Sequence, residues 1–192
     1  MGASNANPQH NFSEKGLIVS YNQNNGSLDN TLNESQLLDS FNTNMLKYHN
    51  DYRLMHQSEI LNNNEELNQK ANKYAKDLLT SPSYVNNKEY IIYKGDILGE
   101  NILISNKEEK EATICDNWYK EILNYKFGLN SFQKGTNHFT QLIWENTKDV
   151  GFGFYFDSKN NKYCYVALYF PAGNIFGQFT DNVHFPLRKN PK

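Results

Sequence analysis

The clearest pattern of apolar and polar positions lies in the segment that follows residue 33. Its apolar residues are spaced alternately by three and four positions, which draws one stripe along a helix: Leu38, Phe41, Met45, Tyr48, Tyr52 and Met55. Asn33 and Gln36 form a capping-box pair ahead of this stripe. The pattern predicts a first helix that begins near Asn33 and buries one face.

The same kind of spacing predicts a second helix from about Glu65 to Leu79. Asn63 and Glu66 form a capping pair that would open it, and Ser81-Pro82 would end it because the residue before a proline disfavours helical geometry. A short helix is expected around 139–144.

Ser105 and Glu108 form a further capping pair and predict the start of a third long helix. Its inward face would consist of Ile114, Cys115, Trp118, Ile122 and Tyr125. The apolar run 102–104 just before it reads as a short buried segment.

The end of the chain is typical of strands rather than helices. Residues 150–156 and 163–170 are rich in aromatic and β-branched side chains, and the turn-forming residues 157–161 separate them. Neither face of the second segment is polar, which indicates a sheet covered on both sides. Gly151 and Gly153 are expected to allow a neighbouring element to pack closely. Early helices and a late hairpin predict an α+β fold, a three-layer α-β-α sandwich with a central antiparallel sheet.

Composition limits the domain organisation and the partners. The 192 residues carry a net charge of −2 and a mean hydropathy of −0.77, which favours one domain with a tail. Residues 1–33 are rich in Asn, Ser, Gly and Gln and are predicted to be a flexible tail, with the domain over 34–192. The charge balance argues against nucleic acid as a partner, and no apolar run is long enough to span a membrane.

The two cysteines and the N-terminal residues indicate whether the protein resides inside or outside the cell. Cys115 and Cys164 both fall in strongly periodic segments, where buried free thiols are the common outcome. The first residues lack the apolar core of a signal peptide, so the expected location is cytoplasmic. An extracellular location is the alternative, and it would give meaning to the glycosylation sequons at Asn11, Asn25 and Asn33.

Three ionisable residues are the best candidates for chemistry. Glu100 follows Gly99 at the start of the buried segment, Glu121 borders the apolar face of the third helix, and His138 opens the short helix. Two carboxylates and one imidazole would suit zinc or another divalent cation. Each residue alone also fits a structural role, and His49 on the first helix is interpreted as structural.

Five segments together resemble the CAP superfamily of cysteine-rich secretory, antigen-5 and plant pathogenesis-related proteins. They are residues 49–53 (His-Asn-Asp-Tyr-Arg), 99–101 (Gly-Glu-Asn), 118–127, 137–147 (from Asn-His-Phe-Thr-Gln to Glu-Asn-Thr) and 169–175 (Tyr-Phe-Pro-Ala-Gly-Asn-Ile). The third and the last are similar to the Golgi-associated pathogenesis-related branch, which is intracellular and poor in cysteine.

The resemblance implies a central cleft that holds two histidines and two glutamates. Glu100, Glu121 and His138 match three of these positions, whereas residues 81–98, where the other histidine would lie, contain none. No cofactor is therefore certain, and zinc would need a substitute ligand such as Glu89 or Asp96. The branch also implies a myristoylated Gly2, although Ala6 stands where a Ser or Thr is preferred.

Three functional hypotheses remain open. The first, implied by the resemblance, is a non-enzymatic protein that binds lipid or sterol or a membrane surface such as the Golgi, and that forms a homodimer. The second is a metal-dependent hydrolase in which Glu100 or Glu121 acts as general base beside His138. The third is a secreted, defence-type or host-interacting protein with a Cys115–Cys164 bridge.

Overall fold

A computed structural model of the chain describes residues 10–12, 18–20, 34–81 and 91–187. Its elements, in chain order, are β1 (His10–Phe12), β2 (Ile18–Ser20), α1 (Glu34–Met55), β3 (Asn62–Asn63), α2 (Glu65–Thr80), β4 (Ile92–Tyr93), β5 (Asp96–Ile97), β6 (Gly99–Ser105), α3 (Glu111–Tyr119), a 3₁₀ helix (Lys120–Asn124), α4 (Asn137–Leu142), β7 (Asp149–Asp157), β8 (Lys162–Phe170) and α5 (Phe179–Asn182).

The central sheet has four strands in the order β3-β7-β8-β6. The predicted hairpin is confirmed as the antiparallel pair β7–β8, and β6 pairs antiparallel with the other side of β8, from Gly99 opposite Tyr169 to Ser105 opposite Tyr163. The two-residue strand β3 adds a parallel edge next to β7. The buried segment expected at 102–104 is therefore the middle of a strand.

Helices cover both faces of this sheet, as the alternation along β8 predicts. Cys164, Val166 and Leu168 pack with residues of α2 in one core, whereas Tyr165, Ala167 and Tyr169 join the core formed with α1, α3 and α4. The three-layer α+β sandwich is confirmed.

Two glycines bring α2 onto the sheet. A Cβ atom added at Gly151 would lie 2.2 Å from the carbonyl carbon of Leu67, and one added at Gly153 would lie 2.2 Å from the backbone nitrogen of Asn72. Both distances are far below van der Waals contact, so the helix backbone occupies the space of the missing side chains. The close packing predicted for this Gly-Phe-Gly segment is confirmed.

Two predicted helix starts are wrong in detail. Asn64 caps α2, because its Oδ1 accepts from the backbone N–H groups of Glu66 (3.1 Å) and Leu67 (3.2 Å), and Asn63 lies in β3 instead. Helix α3 begins only at Glu111, since the Ser105 hydroxyl accepts from the backbone of Lys107 and turns the loop before the helix. At α2 the next polar residue along the chain takes over the cap, whereas Lys110 at the N-cap of α3 makes no side-chain capping bond.

The N-terminal segment remains largely outside the described residues. Strands β1 and β2 pair with each other in an antiparallel hairpin. The prediction that residues 1–33 form a flexible tail stays a prediction, and Gly2 and Asn33 lie outside the described ranges. In the part of the chain that is described, no helix has the length and apolarity needed to cross a bilayer.

The two cysteines are free and buried, as the first interpretation predicts. Cys115 belongs to the core on the α1 side of the sheet, and Cys164 to the core on the α2 side. The sheet separates the two thiols, so the bridge that the secreted hypothesis requires is wrong.

Candidate functional site

The structure brings Glu121 and His138 together where the 3₁₀ helix meets the start of α4. Glu121 Oε1 lies 2.7 Å from Nδ1 of His138, and Oε2 accepts from the backbone N–H groups of His138 (2.8 Å) and Phe139 (3.2 Å). The carboxylate therefore caps a helix and orients an imidazole at the same time. The ring stacks on Trp118, with centroids 6.4 Å apart.

The electrostatics of Glu121 favour a structural role. Burial raises the pKa of its carboxyl, but the hydrogen bonds from the His138 ring and from two backbone N–H groups outweigh burial and leave the pKa below its usual value. A carboxylate whose proton affinity is lowered in this way is a poor general base.

Glu100 does not join this pair. The Tyr74 hydroxyl, on α2, donates a hydrogen bond to the Glu100 carboxylate; burial of the tyrosine, followed by the Glu100 charge and this bond, raises the pKa of Tyr74. Neighbouring Asn101 instead donates to the His138 carbonyl (3.0 Å), on the α4 side. Successive strand residues point to opposite faces, so the alternation of β6 directs Glu100 away from His138.

The described residues do not fit a zinc ion. Across these ranges, no group of three or more His, Cys, Asp or Glu side chains is arranged to hold a metal. Both oxygens of Glu121 already take part in hydrogen bonds, Oε2 with the backbone N–H of His138 and Oε1 with Nδ1 of the His138 ring. The remaining ligand atom of the pair is therefore Nε2 of His138. Asp96 lies on β5 and Glu89 lies outside the described residues.

A cavity of about 950 Å³ opens beside the pair. Residues 95–100 form one wall and residues 170–175 form another. Asn137 and Gln141 of α4, together with Trp144 just after this helix, form the floor. Ile97 and Ile175 stand at its two sides and are 57% and 42% exposed. Glu100 lines this cavity, whereas Glu121 and His138 do not.

Amide side chains that sequence reasoning missed build the floor and the far wall. The buried Gln141 accepts from the backbone N–H of Gly173 (2.7 Å), and Asn174 donates to the Asn137 carbonyl (3.0 Å). A Cβ atom at Gly99 would lie 2.1 Å from Oε1 of Gln141, so this glycine makes room for the amide. The sequence did contain a sign of the role of Asn174, because this residue ends the Pro-Ala-Gly-Asn part of the motif 169–175. Asn174 adopts a φ of 58°, a left-handed conformation that asparagine tolerates better than most residues.

His49 is structural, in agreement with the sequence interpretation. It is fully buried; Nδ1 lies 2.7 Å from the Met45 carbonyl and Nε2 lies 2.9 Å from the Tyr169 hydroxyl. Asn101 donates to the same hydroxyl (3.1 Å). Burial lowers the pKa of His49 to about 3, so the ring stays neutral and links α1 to the sheet beneath α4.

Arg53 holds the far end of α4. Its buried guanidinium donates to the carbonyls of Glu59 (2.7 Å), Trp144 (2.8 Å), Thr147 (3.1 Å) and Leu142 (3.2 Å). Burial lowers the pKa of Arg53 to about 10, which still leaves it charged at neutral pH. The residue satisfies carbonyl groups that the end of a helix leaves unpaired.

Comparisons with known proteins agree with this architecture. The sequence model of the cysteine-rich secretory protein family, CAP, matches residues 46–169. The human Golgi-associated plant pathogenesis-related protein 1 is 36% identical over 150 residues, which cover 77% of this chain and 95% of that protein. Protein PRY2 of Saccharomyces cerevisiae is 29% identical over 74% of this chain and 41% of its own length.

Solved structures show the same fold at lower identity. Venom allergen-like protein 4 of Schistosoma mansoni superposes with a TM-score of 0.60 at 20% identity, covering 77% of this chain and 95% of that one. NaASP2, solved with Zn²⁺, gives a TM-score of 0.56 at 22% identity, covering 75% of this chain and 84% of that one.

Proposed function

The chain belongs to the CAP family of cysteine-rich secretory proteins, and we propose that it is a non-enzymatic binding protein for an uncharged amphiphile such as a sterol. The observation that carries the proposal is the cavity of about 950 Å³, whose sides present Ile97 and Ile175. This volume is in the range of cavities that bury a small-molecule ligand. Trp144, Phe170 and Leu98 extend the apolar lining.

The charges that line the cavity narrow the ligand class. Among its described lining residues are the carboxylates Asp96 and Glu100 but no lysine, arginine or histidine. A fatty-acid carboxylate would meet like charges there, whereas a hydroxyl would find the amides of Asn137 and Asn174. A sterol therefore fits this lining better than a fatty acid.

The hydrolase hypothesis receives less support from the same region. Glu121 is occupied as a helix cap with a lowered pKa, Glu100 is bonded to Tyr74, and the cavity that Glu100 lines does not include His138. A binding role requires none of these groups to exchange protons.

Ligand titration tests the proposal. Dehydroergosterol added to the full chain should quench Trp144 by energy transfer, and sodium dodecanoate should bind at least tenfold more weakly. Ile97→Ser should weaken sterol binding about fivefold, since about 1 kcal/mol of apolar contact is lost. Leu123→Ser is the matched control, because Leu123 is 85% exposed and lies outside the cavity. Equal effects of the two variants, or no sterol binding, would contradict the proposal.

We further propose a peripheral location on an internal membrane, which the name of the human Golgi-associated relative supports, and a myristoyl group on Gly2. Mass spectrometry of the chain isolated from eukaryotic cells would detect myristoylated Gly2. An unmodified Gly2 would contradict this part of the proposal. Self-association stays a prediction, which sedimentation velocity would test.

A further inference from the structure

Helices α1 and α3 bring two tyrosine rings into face-to-face contact. The rings of Tyr52 on α1 and Tyr119 on α3 have centroids 4.0 Å apart and planes inclined by 18°. Aromatic pairs in proteins usually have their centroids about 4.5–7 Å apart. This pair is therefore closer than the usual range, and its rings are nearly parallel.

Each phenol hydroxyl donates a hydrogen bond to an acceptor that the opposite helix supplies. The Tyr52 hydroxyl donates to Oδ1 of Asp116 on α3. The Tyr119 hydroxyl lies 3.0 Å from Nε2 of His56, the residue that follows α1. Nδ1 of the same ring lies 2.6 Å from the His184 carbonyl. Because a carbonyl only accepts, Nδ1 carries the hydrogen of the neutral ring, and Nε2 accepts from Tyr119.

Both phenols keep their protons next to these acceptors. Burial, and then the hydrogen bond to Asp116, raises the pKa of Tyr52, and burial raises the pKa of Tyr119. Burial also lowers the pKa of His56 below its ordinary value of 6.5, so Nε2 of this ring is unprotonated at neutral pH. Each hydroxyl therefore has a hydrogen bond along which its proton can leave.

This arrangement suits one-electron oxidation of both rings. Removal of one electron makes a phenol a strong acid, and an acceptor already bonded to the hydroxyl takes the proton, which leaves a neutral phenoxyl radical. Two such radicals in stacked rings form a carbon–carbon bond between the ring positions next to the hydroxyl-bearing carbons. The hydrogens at these two positions then move to the two oxygens and restore both phenols. The sum is one dityrosine, two protons and two electrons released from two tyrosines.

We propose that Tyr52 and Tyr119 are a site of oxidative modification, at which a peroxide-driven haem peroxidase cross-links α1 to α3 through dityrosine. One hydrogen peroxide accepts the two electrons and two protons and becomes two water molecules. Asp116 and His56 accept the phenol protons and pass them to solvent. Both tyrosines are partly exposed, so their oxidation does not require the core to open.

Photo-oxidation of the full chain by tris(bipyridyl)ruthenium and persulfate tests the location of the cross-link. This reagent removes single electrons from tyrosine, and dilute protein keeps separate molecules from reacting with each other. The wild type should show dityrosine fluorescence in a band that migrates as a monomer, and its digest should contain a peptide pair joined through Tyr52 and Tyr119. Tyr52→Phe should abolish this pair. Tyr163→Phe is the matched control and should leave its yield unchanged, because Tyr163 stacks on Tyr165 with centroids 6.5 Å apart.

The role of the acceptor is tested by a change of charge that keeps the shape of the side chain. Asp116→Asn retains an oxygen that accepts from Tyr52 but is not a base, so the initial rate of dityrosine formation should fall at least about tenfold. Asp51→Asn is the control, because it removes the same charge next to Tyr52 in the sequence from a carboxylate that pairs with Lys47 at the surface.

Two results would overturn the inference. One is a wild-type digest in which dityrosine joins other tyrosines but not Tyr52 and Tyr119, and this result does not depend on the folding of any variant. The other is an equal rate of dityrosine formation in Asp116→Asn and Asp51→Asn when both variants show the near-ultraviolet circular dichroism of the folded wild type.

Discussion

Glu121→Gln is the substitution that most directly examines how the start of α4 is held. The carboxylate accepts three N–H groups, from the His138 ring and from the backbone of His138 and Phe139. An amide has one acceptor oxygen, so the variant either keeps the two backbone bonds and turns its NH₂ group towards His138 Nδ1, or accepts from the ring and turns its NH₂ group towards the two backbone N–H groups. A helix cap contributes about 1 kcal/mol, and hydrogen bonds to a charged group contribute about 1.5–3 kcal/mol. We expect the free energy of unfolding to fall by about 2 kcal/mol at neutral pH.

The pH dependence provides a second readout of the same bonds. The folded-state pKa of Glu121 lies below its ordinary value of 4.5, so the group contributes stability above that pH and loses it as the pH falls through the folded pKa. The difference between wild type and Glu121→Gln should therefore shrink as the solution is acidified below about pH 4.5.

Urea unfolding followed by tryptophan fluorescence at a series of pH values measures both effects. Glu59→Gln is the control, because Glu59 pairs with Lys148 at the surface and its side chain is 70% exposed. Its removal should leave the free energy of unfolding nearly unchanged, because water screens an exposed ion pair. A Glu121→Gln protein that unfolds within about 0.5 kcal/mol of the wild type at neutral pH would refute the capping role.

Two further predictions concern the packing around the site. Arg53→Met should lower the free energy of unfolding by about 3–5 kcal/mol in urea titration, because it leaves one carbonyl of the loop after α1 and three carbonyls at and beyond the end of α4 without their donor. A loss below about 1 kcal/mol would show that water replaces the guanidinium. Gly153→Ala should lower the thermal midpoint by about 10 °C, since its Cβ would lie 2.2 Å from the Asn72 nitrogen. An unchanged midpoint would mean that α2 shifts without cost.

The sequence predicted the layers of the fold better than it predicted the site. The stripe of α1 and the two apolar faces of β8 are periodic over many residues, and such repetition determines which side of an element is buried. Helix starts depend on one polar side chain among several, which is why Asn64 rather than Asn63 caps α2.

Which partner each site residue on β6 contacts depends on the face of the sheet to which its side chain points, and that face changes from one residue to the next. Glu100 and Asn101 are adjacent, yet the first is bonded to Tyr74 and the second to the His138 carbonyl. Motif spacing located both residues near the cleft but carried no information on which face each one takes. Gln141 and Asn174 line the cavity and hold its walls through hydrogen bonds, but neither is ionisable, so there was no chemical reason in the sequence to select them as site residues.

The two cysteines can report local unfolding of the two helix layers separately, because each thiol is buried in the core on a different side of the sheet. Cys115 lies on α3 against His49 of α1, Cys164 lies on β8 beneath α2, and burial raises the pKa of both thiols, that of Cys164 to about 12. A thiol reagent can therefore modify each one only after its own layer has separated from the sheet. Mass spectrometric mapping of the modified thiol would then reveal which helix layer lifts first, and whether an occupied cavity slows one layer more than the other.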